Sequence, residues 1–114
     1  MKLVTLKKRR DFVLSNKYGQ KTHNINFILQ EYCNPNIADK GLMFGFTATK
    51  RIGNAVKRNR AKRRMRALML VLLKEDNNLF KEKYSYVLIA KQSILKASFF
   101  EMHKQLKQCL SRLL

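Results

Sequence analysis

Residues 50–66 of the chain read KRIGNAVKRNRAKRRMR, and nine of these seventeen residues are Lys or Arg. No acidic residue interrupts the run, and the nearest carboxylates in sequence are Asp39 and Glu75. The positive charge therefore has no local partner, and we expect it to meet an anion from outside the chain. A disordered basic tail, a solvated helix face and a localisation signal are the other interpretations of such a run.

The spacing within and after this run predicts an amphipathic helix. At about 100° per residue, one side of the helix carries apolar residues and the other carries polar ones. The apolar side consists of Ala61, Met65, Leu68 and Leu72, and the polar side of Asn59, Lys62, Arg63 and Arg66. Asn54, which follows Gly53, is placed to act as the N-cap. We therefore predict a rigid array of charges on a helix that a core anchors.

An arginine-rich array of this kind suits the phosphates of a nucleic acid. The planar guanidinium binds phosphate oxygens in pairs and also stacks on unpaired bases, whereas a lysine ammonium does neither. Asn59, between Arg58 and Arg60, adds a neutral donor and acceptor for a sugar hydroxyl or a base edge. If about five phosphates are neutralised, log affinity should fall with log salt at a slope of roughly −3.5 to −4.5.

The bulk properties indicate one domain, residues 1–114, with a modest core and a net charge of +18. We expect residues 1–8 to be a basic, flexible N-terminus. No run of about 18 apolar residues is present and the first residues do not resemble a secretory signal, so we expect a cytoplasmic protein with no membrane partner. Cys33 and Cys109 lack metal-ligand spacing and are expected to be reduced thiols. With no nucleophile, carboxylate-pair or metal motif, we predict no catalytic residue and no metal ligand in the protein.

The remaining patterns predict the order αββαβα, an α+β sandwich of helices packed on one small sheet. A basic lead precedes a short helix that Gly19 can close in a left-handed cap. Alternation predicts strands over residues 21–33 and 42–50, and residues 84–91 predict a central or covered strand because both of its faces are apolar. Residues 98–101 read SFFE, a capping box that starts the last helix. The small residues of the second strand, Gly45 among them, leave a face that a chain can approach closely.

The segment KRIGNAVKRNRAKR (residues 50–63) resembles the RNR signature of the bacterial ribonuclease P protein family, and the order of elements agrees with that family across nearly the whole chain. The resemblance implies a ribosomal S5 domain 2-like fold with a left-handed βαβ crossover, where sequence patterns alone would favour the right-handed connection. It also implies that a catalytic RNA, with bound Mg²⁺, hydrolyses a phosphodiester to remove the 5′ leader of precursor tRNA. The protein is then the cofactor of that RNA and a subunit of an endoribonuclease, and no protein partner is required.

Carried onto this sequence, the resemblance implies two binding surfaces. The expected contact with the catalytic RNA consists of Lys50, Arg51, Asn54, Arg58, Asn59, Arg60, Lys62, Arg63 and Arg66. The expected cleft for the single-stranded leader consists of Phe12, Asn16, Tyr18, Asn26, Ile28 and Gln30. The sequence departs from the family pattern at Asn16, where many relatives have an aromatic residue, and at Gln30, where some have Tyr. Core packing is the alternative role for Phe12.

Three other functions compete with this interpretation. A ribosomal protein or general RNA chaperone would share the charge and size but would not discriminate leader-bearing substrates. A basic amphipathic helix could instead act at a membrane surface, although such helices need bulky apolar anchors opposite the charge along the same turns. An autonomous protein nuclease would cleave RNA with no RNA subunit present.

Overall fold

A computed structural model describes residues 3–114 and shows a four-stranded mixed sheet with helices on both faces. The helices and strands are, in chain order, α1 (Arg9–Tyr18), β1 (Gln20–His23), β2 (Phe27–Cys33), β3 (Leu42–Thr47), α2 (Ala55–Glu75), β4 (Tyr84–Ala90) and α3 (Phe99–Leu113). Short 3₁₀ turns at Lys50–Ile52, Asn77–Leu79 and Gln92–Leu95 connect them. The predicted α+β order is confirmed, with β1 as one additional short strand.

The strand order in the sheet is β1-β2-β4-β3. Strands β1, β2 and β4 pair antiparallel, whereas β3 pairs parallel with β4. Because α2 joins these two parallel neighbours, β3, α2 and β4 form the βαβ unit around the basic helix that the family resemblance implied. β4 lies in the interior of the sheet, in agreement with its apolar residues on both faces.

The predicted single strand over residues 21–33 is a hairpin in the structure. Asn24 accepts hydrogen bonds from the backbone N–H groups of Asn26 and Phe27, at 2.8 and 3.1 Å, through its side-chain oxygen. This Asx-type turn reverses the chain between β1 and β2. Alternation alone missed the break because Ile25 continues the apolar period across it.

One face of the sheet packs against α2 and α3. The predicted apolar stripe of α2 is confirmed, since Ala61, Met65, Leu68 and Leu72 are fully buried. They meet core side chains of the sheet and of α3, which include Phe27, Leu29, Phe44, Tyr86, Leu88, Met102 and Leu106. Burial of the stripe holds α2 at a fixed angle and leaves its basic side in solvent.

The opposite face of the sheet is partly covered by α1. Ser15 donates a 2.7 Å hydrogen bond from its hydroxyl to Gln30 Oε1, and both residues are buried. The ring of Phe12 lies over Gly45, where an added Cβ would sit only 2.5 Å from Phe12 Cε1. The close approach expected at Gly45 is therefore made by α1, and the rest of this face remains open.

The end of α1 differs from the predicted left-handed cap. Gly19 has a φ of −71° and continues directly into β1, so its backbone is extended. Glycine is required there for space, because a Cβ would lie 2.5 Å from the carbonyl oxygen of Ser15. At the start of α3, the Ser98 hydroxyl accepts from the N–H of Glu101 at 3.1 Å, as predicted. The reciprocal bond of a capping box is absent from the described residues, and the Glu101 carboxylate instead lies 3.5 Å from Gln105 Nε2.

Part of the N-terminal segment that we expected to be flexible, residues 1–8, pairs with the sheet. The backbone of Phe44 exchanges hydrogen bonds with Val4 and Leu6, at 2.8 and 2.7 Å, and Leu6 is buried. Residues 4–6 thus extend the β3 edge of the sheet, because the apolar side chain of Leu6 gains burial there. Residues 1 and 2 lie outside the described part. Within residues 3–114, no helix is both long and apolar enough to cross a membrane.

Candidate nucleic-acid interface

A tight turn connects β3 to the start of α2. Lys50 and Arg51 are exposed in the 3₁₀ turn, and Ile52 anchors that turn because it is buried. Gly53 has a φ of +137°, a conformation that is nearly restricted to glycine. Asn54 then caps the helix as predicted, since its side-chain oxygen accepts from the backbone N–H of Lys57 at 3.0 Å. Both ends of this turn are therefore fixed, and Lys50 and Arg51 have defined positions beside the helix.

The polar side of α2 forms a shallow depression on the surface, with a volume of about 480 Å³. It is lined by Val56, Asn59, Lys62, Arg63 and Arg66. The four polar members are the residues that helical spacing predicted to share one side. The structure therefore brings together the amide and the three cations that the sequence assigned to one face.

Several arginines of this region are held in place by the protein itself. Arg58 is half-buried and donates from Nη1 to the carbonyl oxygen of Gly53 at 2.8 Å. The guanidinium of Arg66 lies 5.7 Å from the centre of the Phe46 ring, a cation–π contact. Arg64 donates to the carbonyl oxygen of Ala97, which ties α2 to the segment before α3. Arg60, in contrast, is exposed and makes no side-chain hydrogen bond within the described residues.

The positive charge of this interface is not neutralised within the described chain. Residues 3–114 contain three ion pairs within 4.0 Å, formed by Lys81 with Glu31, Lys83 with Asp39 and His103 with Glu75. None of them involves a residue between 50 and 66. A face of unpaired, partly immobilised cations favours binding of phosphates, because the ordering cost is partly met in advance and released counterions add to the affinity.

A larger cavity, of about 830 Å³, adjoins this face and opens onto the uncovered part of the sheet. Its floor is apolar, since Ile28 and Ile89 lie opposite each other in neighbouring strands. Its rim is polar or charged and includes Thr49, Lys50, Arg51, Lys91 and Gln92. An apolar floor beside cationic groups suits an unpaired nucleotide strand, whose bases and phosphates need different surroundings.

Three of the six predicted cleft residues are at least partly exposed on the sheet face that contains this cavity, or on the part of α1 that packs on that face. Ile28 lines the cavity itself, whereas Phe12 is half-buried and packs on Gly45. Asn16 is exposed on α1, and its side-chain oxygen accepts from Gln30 Nε2 at 3.2 Å. Packing on Gly45 therefore accounts for part of the Phe12 ring, and its role in stacking on a base stays a prediction.

The other three predicted cleft residues have different positions. Gln30 is buried beneath α1, where it bonds Ser15 and Asn16, so it orients the helix and is not accessible to a ligand. Asn26 is also buried, and its side chain bonds Gln105 of α3 and Ser93 at 2.8 and 2.7 Å. Gln105 and Ser93 occupy the side-chain amide of Asn26, so its assignment to the cleft floor is not supported.

Tyr18 is exposed at the end of α1 but does not line the large cavity. It borders a separate pocket of about 260 Å³ together with Gln20, Glu31, Tyr32, Cys33, Lys81 and Tyr84. The structure therefore does not bring Tyr18 to Ile28. The shift follows from the end of α1, where the chain turns at once into the edge strand β1.

Six residues that line the large cavity were not predicted from the sequence: Thr49, Ile52, Ile89, Ala90, Lys91 and Gln92. Strand pairing offered the signal for Ile89, since an apolar residue outside the core face of β4 needs a neighbour such as Ile28. Lys91 and Gln92 have no comparable signal. They reach the cavity because Gln92 Nε2 donates to the carbonyl oxygen of Arg51 at 3.0 Å and links the turn after β4 to the turn before α2.

Comparisons with known proteins agree with this geometry. The family model described as Ribonuclease P matches residues 1–114. The ribonuclease P protein component of Bacillus pumilus is 34% identical over 102 residues, which cover 90% of this chain and 81% of the relative. That of Nitratiruptor sp. is 34% identical over 109 residues, covering 96% and 91%. The 2.0 Å structure of the Staphylococcus aureus RNase P protein superposes with a TM-score of 0.74 at 26% identity, covering 98% of this chain and 96% of that one.

Proposed function

The chain belongs to the ribonuclease P protein family, and from this premise we propose that it binds the catalytic RNA through α2 and the precursor tRNA leader through the large cavity. It is the protein component of the endoribonuclease ribonuclease P and assists the RNA subunit in removing the 5′ leader of tRNA. Its partners are accordingly the ribonuclease P RNA and precursor tRNA. The proposal concerns which residues serve each partner and how. Because tRNA maturation is its task, we place its action in the cytoplasm.

Binding of the catalytic RNA is assigned to the polar side of α2. Asn59, Lys62, Arg63 and Arg66 share one depression, and none of these cations pairs with a carboxylate within residues 3–114. Exposed Arg60 and the turn residues Lys50 and Arg51 extend the same positive surface. A structured RNA, which presents many phosphates at fixed spacing, complements such a rigid array better than a flexible polyanion does.

Binding of the precursor tRNA leader is assigned to the large cavity. Lys50 and Arg51 belong both to its rim and to the turn before α2, so these two cations lie between the proposed site for the leader and the proposed site for the catalytic RNA. The apolar pair Ile28 and Ile89 can take a base, and Phe12 offers a half-exposed ring on the same sheet face. The departures at Asn16 and Gln30 leave less aromatic surface than many relatives have.

We place the Mg²⁺ ions on the RNA subunit and its substrate. Residues 3–114 contain no group of three or more His, Cys, Asp or Glu side chains arranged to hold a metal ion. The protein's side chains do not fit such a site, so we assign no step of hydrolysis to them. Their contribution is charge, because a +18 subunit reduces the repulsion between two polyanionic RNAs that Mg²⁺ would otherwise have to screen.

Reconstitution tests this function. Cleavage of a precursor tRNA by the catalytic RNA should need less Mg²⁺ when the protein is present, and substrates with a leader should bind more tightly than mature tRNA. Arg60→Ala should reduce both effects, whereas Lys40→Ala, which removes one exposed charge in the loop before β3, should not. If wild-type protein changes neither the Mg²⁺ requirement nor leader discrimination, the proposal is wrong. RNA cleavage by protein alone would instead support an autonomous nuclease.

A further inference from the structure

Two adjacent phenylalanines at the start of α3 remain unexplained by the two surfaces described above. Phe99 is 40% exposed and Phe100 is 81% exposed, the highest value among the exposed large hydrophobic residues of the described chain. Helical spacing gives core positions to Met102 and Leu106, which are fully buried, so neither phenylalanine is needed for the core. Two adjacent exposed aromatic side chains that the core does not use form an apolar patch, and such a patch is a candidate contact surface for a partner.

Phe99 borders an open groove of about 530 Å³ between α2 and the segment before α3, and Phe100 follows it on α3 without lining the groove. Its lining consists of Arg63, Arg64, Ala67, Ala97, Ser98 and Phe99. The bond from Arg64 to the carbonyl oxygen of Ala97 fixes one wall of the groove against the other. The small side chains of Ala67, Ala97 and Ser98 leave room for a flat group beside the ring of Phe99.

Charge decides what kind of partner fits this groove. Arg63 lines both the groove and the depression on the polar side of α2, so the two sites are continuous. Lys96 is exposed before Phe99, and Lys104 follows Phe100 one turn later on α3. The carboxylate of this turn, Glu101, lies next to Gln105. A second copy of the chain, with its own +18, would be repelled, whereas an RNA strand meets aromatic and cationic groups together.

We propose that Phe99 and Phe100 form a stacking site for an unpaired base of the catalytic RNA, with Arg63 on the adjoining phosphate. This inference rests on the proposed function of α2, which it extends by a second, base-directed contact. The catalytic RNA is the favoured source because the groove is continuous with the α2 depression. The leader cavity, in contrast, has no lining residue in common with this groove.

The test measures binding of the isolated catalytic RNA by the full-length protein and four variants. Phe100→Ala should raise the Kd by about 5- to 100-fold without changing the salt slope, because stacking is lost but no charge is. Phe100→Tyr should bind like wild type, and Phe100→Leu should be weakened like the alanine variant, because stacking needs an aromatic face. Leu114→Ala, at the far end of the same helix and 66% exposed, is the matched control. Urea unfolding midpoints verify that all variants fold.

Other results would overturn the stacking site. If Phe100→Ala and Phe100→Leu bind within twofold of wild type, the ring makes no contact with the RNA. If Phe100→Leu alone keeps full affinity, the exposed side chain meets an apolar partner and not a base. If Phe100→Ala loses affinity only when precursor tRNA is present, the stacked base belongs to the precursor tRNA and not to the catalytic RNA. Should wild-type protein itself fail to prefer the catalytic RNA over an unrelated structured RNA, the failure would lie with the proposed function of α2.

Discussion

The guanidinium of Arg58 donates from Nη1 to the carbonyl oxygen of Gly53 at a distance of 2.8 Å. This bond closes the turn that precedes α2, and the backbone N–H of Arg58 bonds Asn54 as well, at 2.9 Å. Arg60, two residues later, is exposed and free of such bonds within the described residues. The two arginines on either side of Asn59 therefore have different roles. Arg58 stabilises the turn of the interface, and Arg60 is available to a ligand.

Substitution of these two arginines should separate stability from binding. Arg58→Ala should lower the free energy of unfolding by about 1 kcal/mol, because a half-exposed charged hydrogen bond is lost, and should also weaken RNA binding. Arg60→Ala should change stability by less than about 0.5 kcal/mol but reduce the salt slope of binding by about 1. Urea titration and filter binding measure the two effects. Equal stability of both variants would show that the Arg58 bond does not organise the turn.

Gly53 should be the residue of this turn that tolerates substitution least. Its φ of +137° and ψ of −151° lie in a region that is essentially restricted to glycine, and a Cβ would lie 2.7 Å from Lys57 Cδ. We expect Gly53→Ala to cost about 1–3 kcal/mol of stability and to weaken RNA binding by displacing Lys50 and Arg51. Shortening the Lys57 side chain to Ala in the same variant should relieve the clash but not the backbone strain. Full recovery in that double variant would contradict a conformational cause.

Phe12 should serve both packing and leader binding, and two substitutions can separate these roles. Phe12→Leu should retain most of the contact over Gly45 but lose about 1–3 kcal/mol of leader affinity, since only an aromatic ring stacks. Gly45→Ala should displace the ring, because the new Cβ would lie 2.5 Å from Phe12 Cε1 and 2.9 Å from Phe12 Cζ. Affinity for leader-bearing over mature tRNA is the measurement. Unchanged leader discrimination in Phe12→Leu would assign Phe12 to packing alone.

The ion pair of Lys81 with buried Glu31 should contribute more to stability than the exposed pair of Lys83 with Asp39. Lys81 Nζ lies 2.9 Å from Glu31 Oε1 and also donates to the carbonyl oxygen of Leu113, so Lys81→Ala leaves a buried carboxylate without its cation. We expect a loss of about 1–3 kcal/mol, against less than about 0.5 for Asp39→Ala. Thermal unfolding of both variants against wild type gives the comparison. Equal effects would mean that burial of Glu31 adds nothing.

The pH dependence of the Lys81 effect follows from its pKa. The hydrogen bond that Lys81 donates to the Glu31 carboxylate raises the pKa of the Lys81 ammonium above its ordinary value of 10.5. A cation with a raised pKa contributes stability that is fully present below its unfolded-state value and is lost as the pH rises through the folded-state value. The stability difference between wild type and Lys81→Ala should therefore be unchanged from neutral pH up to about pH 10.5 and shrink above it. A difference that shrinks below pH 9 would contradict this origin.

The parts of the fold that depend on local spacing were predictable from the sequence. The buried stripe of α2 from Ala61 to Leu72, the Asn54 cap and the interior position of β4 each follow from a repeat or a turn within a few residues. The hairpin at Asn24 was missed because a side-chain turn interrupts the chain where Ile25 keeps the apolar alternation in the sequence. The pairing of Val4 and Leu6 with Phe44 could not be predicted from local sequence patterns either, because it joins segments about forty residues apart.

The residues of the candidate site were also predictable to unequal degrees. Asn59, Lys62, Arg63 and Arg66 share a face because a helix fixes their spacing, so periodicity identified them. The cleft depends on contacts between distant segments, and there prediction was poorer. Asn26 is taken up by Gln105 and Ser93, Gln30 is covered by Ser15, and Tyr18 follows the edge strand to another pocket. Phe99 and Phe100 were read only as members of a capping box, although two adjacent aromatics at a helix start cannot both face one core.

The salt dependence of binding most directly tests the claim that α2 presents a fixed array of cations to one structured RNA. The Kd should be measured between about 50 and 200 mM salt for the catalytic RNA and for a ribosomal RNA fragment of equal length. We expect a log–log slope of roughly −3.5 to −4.5 for the catalytic RNA, with a clear preference for it at every salt concentration. Equal affinities and equal slopes for the two RNAs would contradict a dedicated interface and favour a general RNA-binding protein.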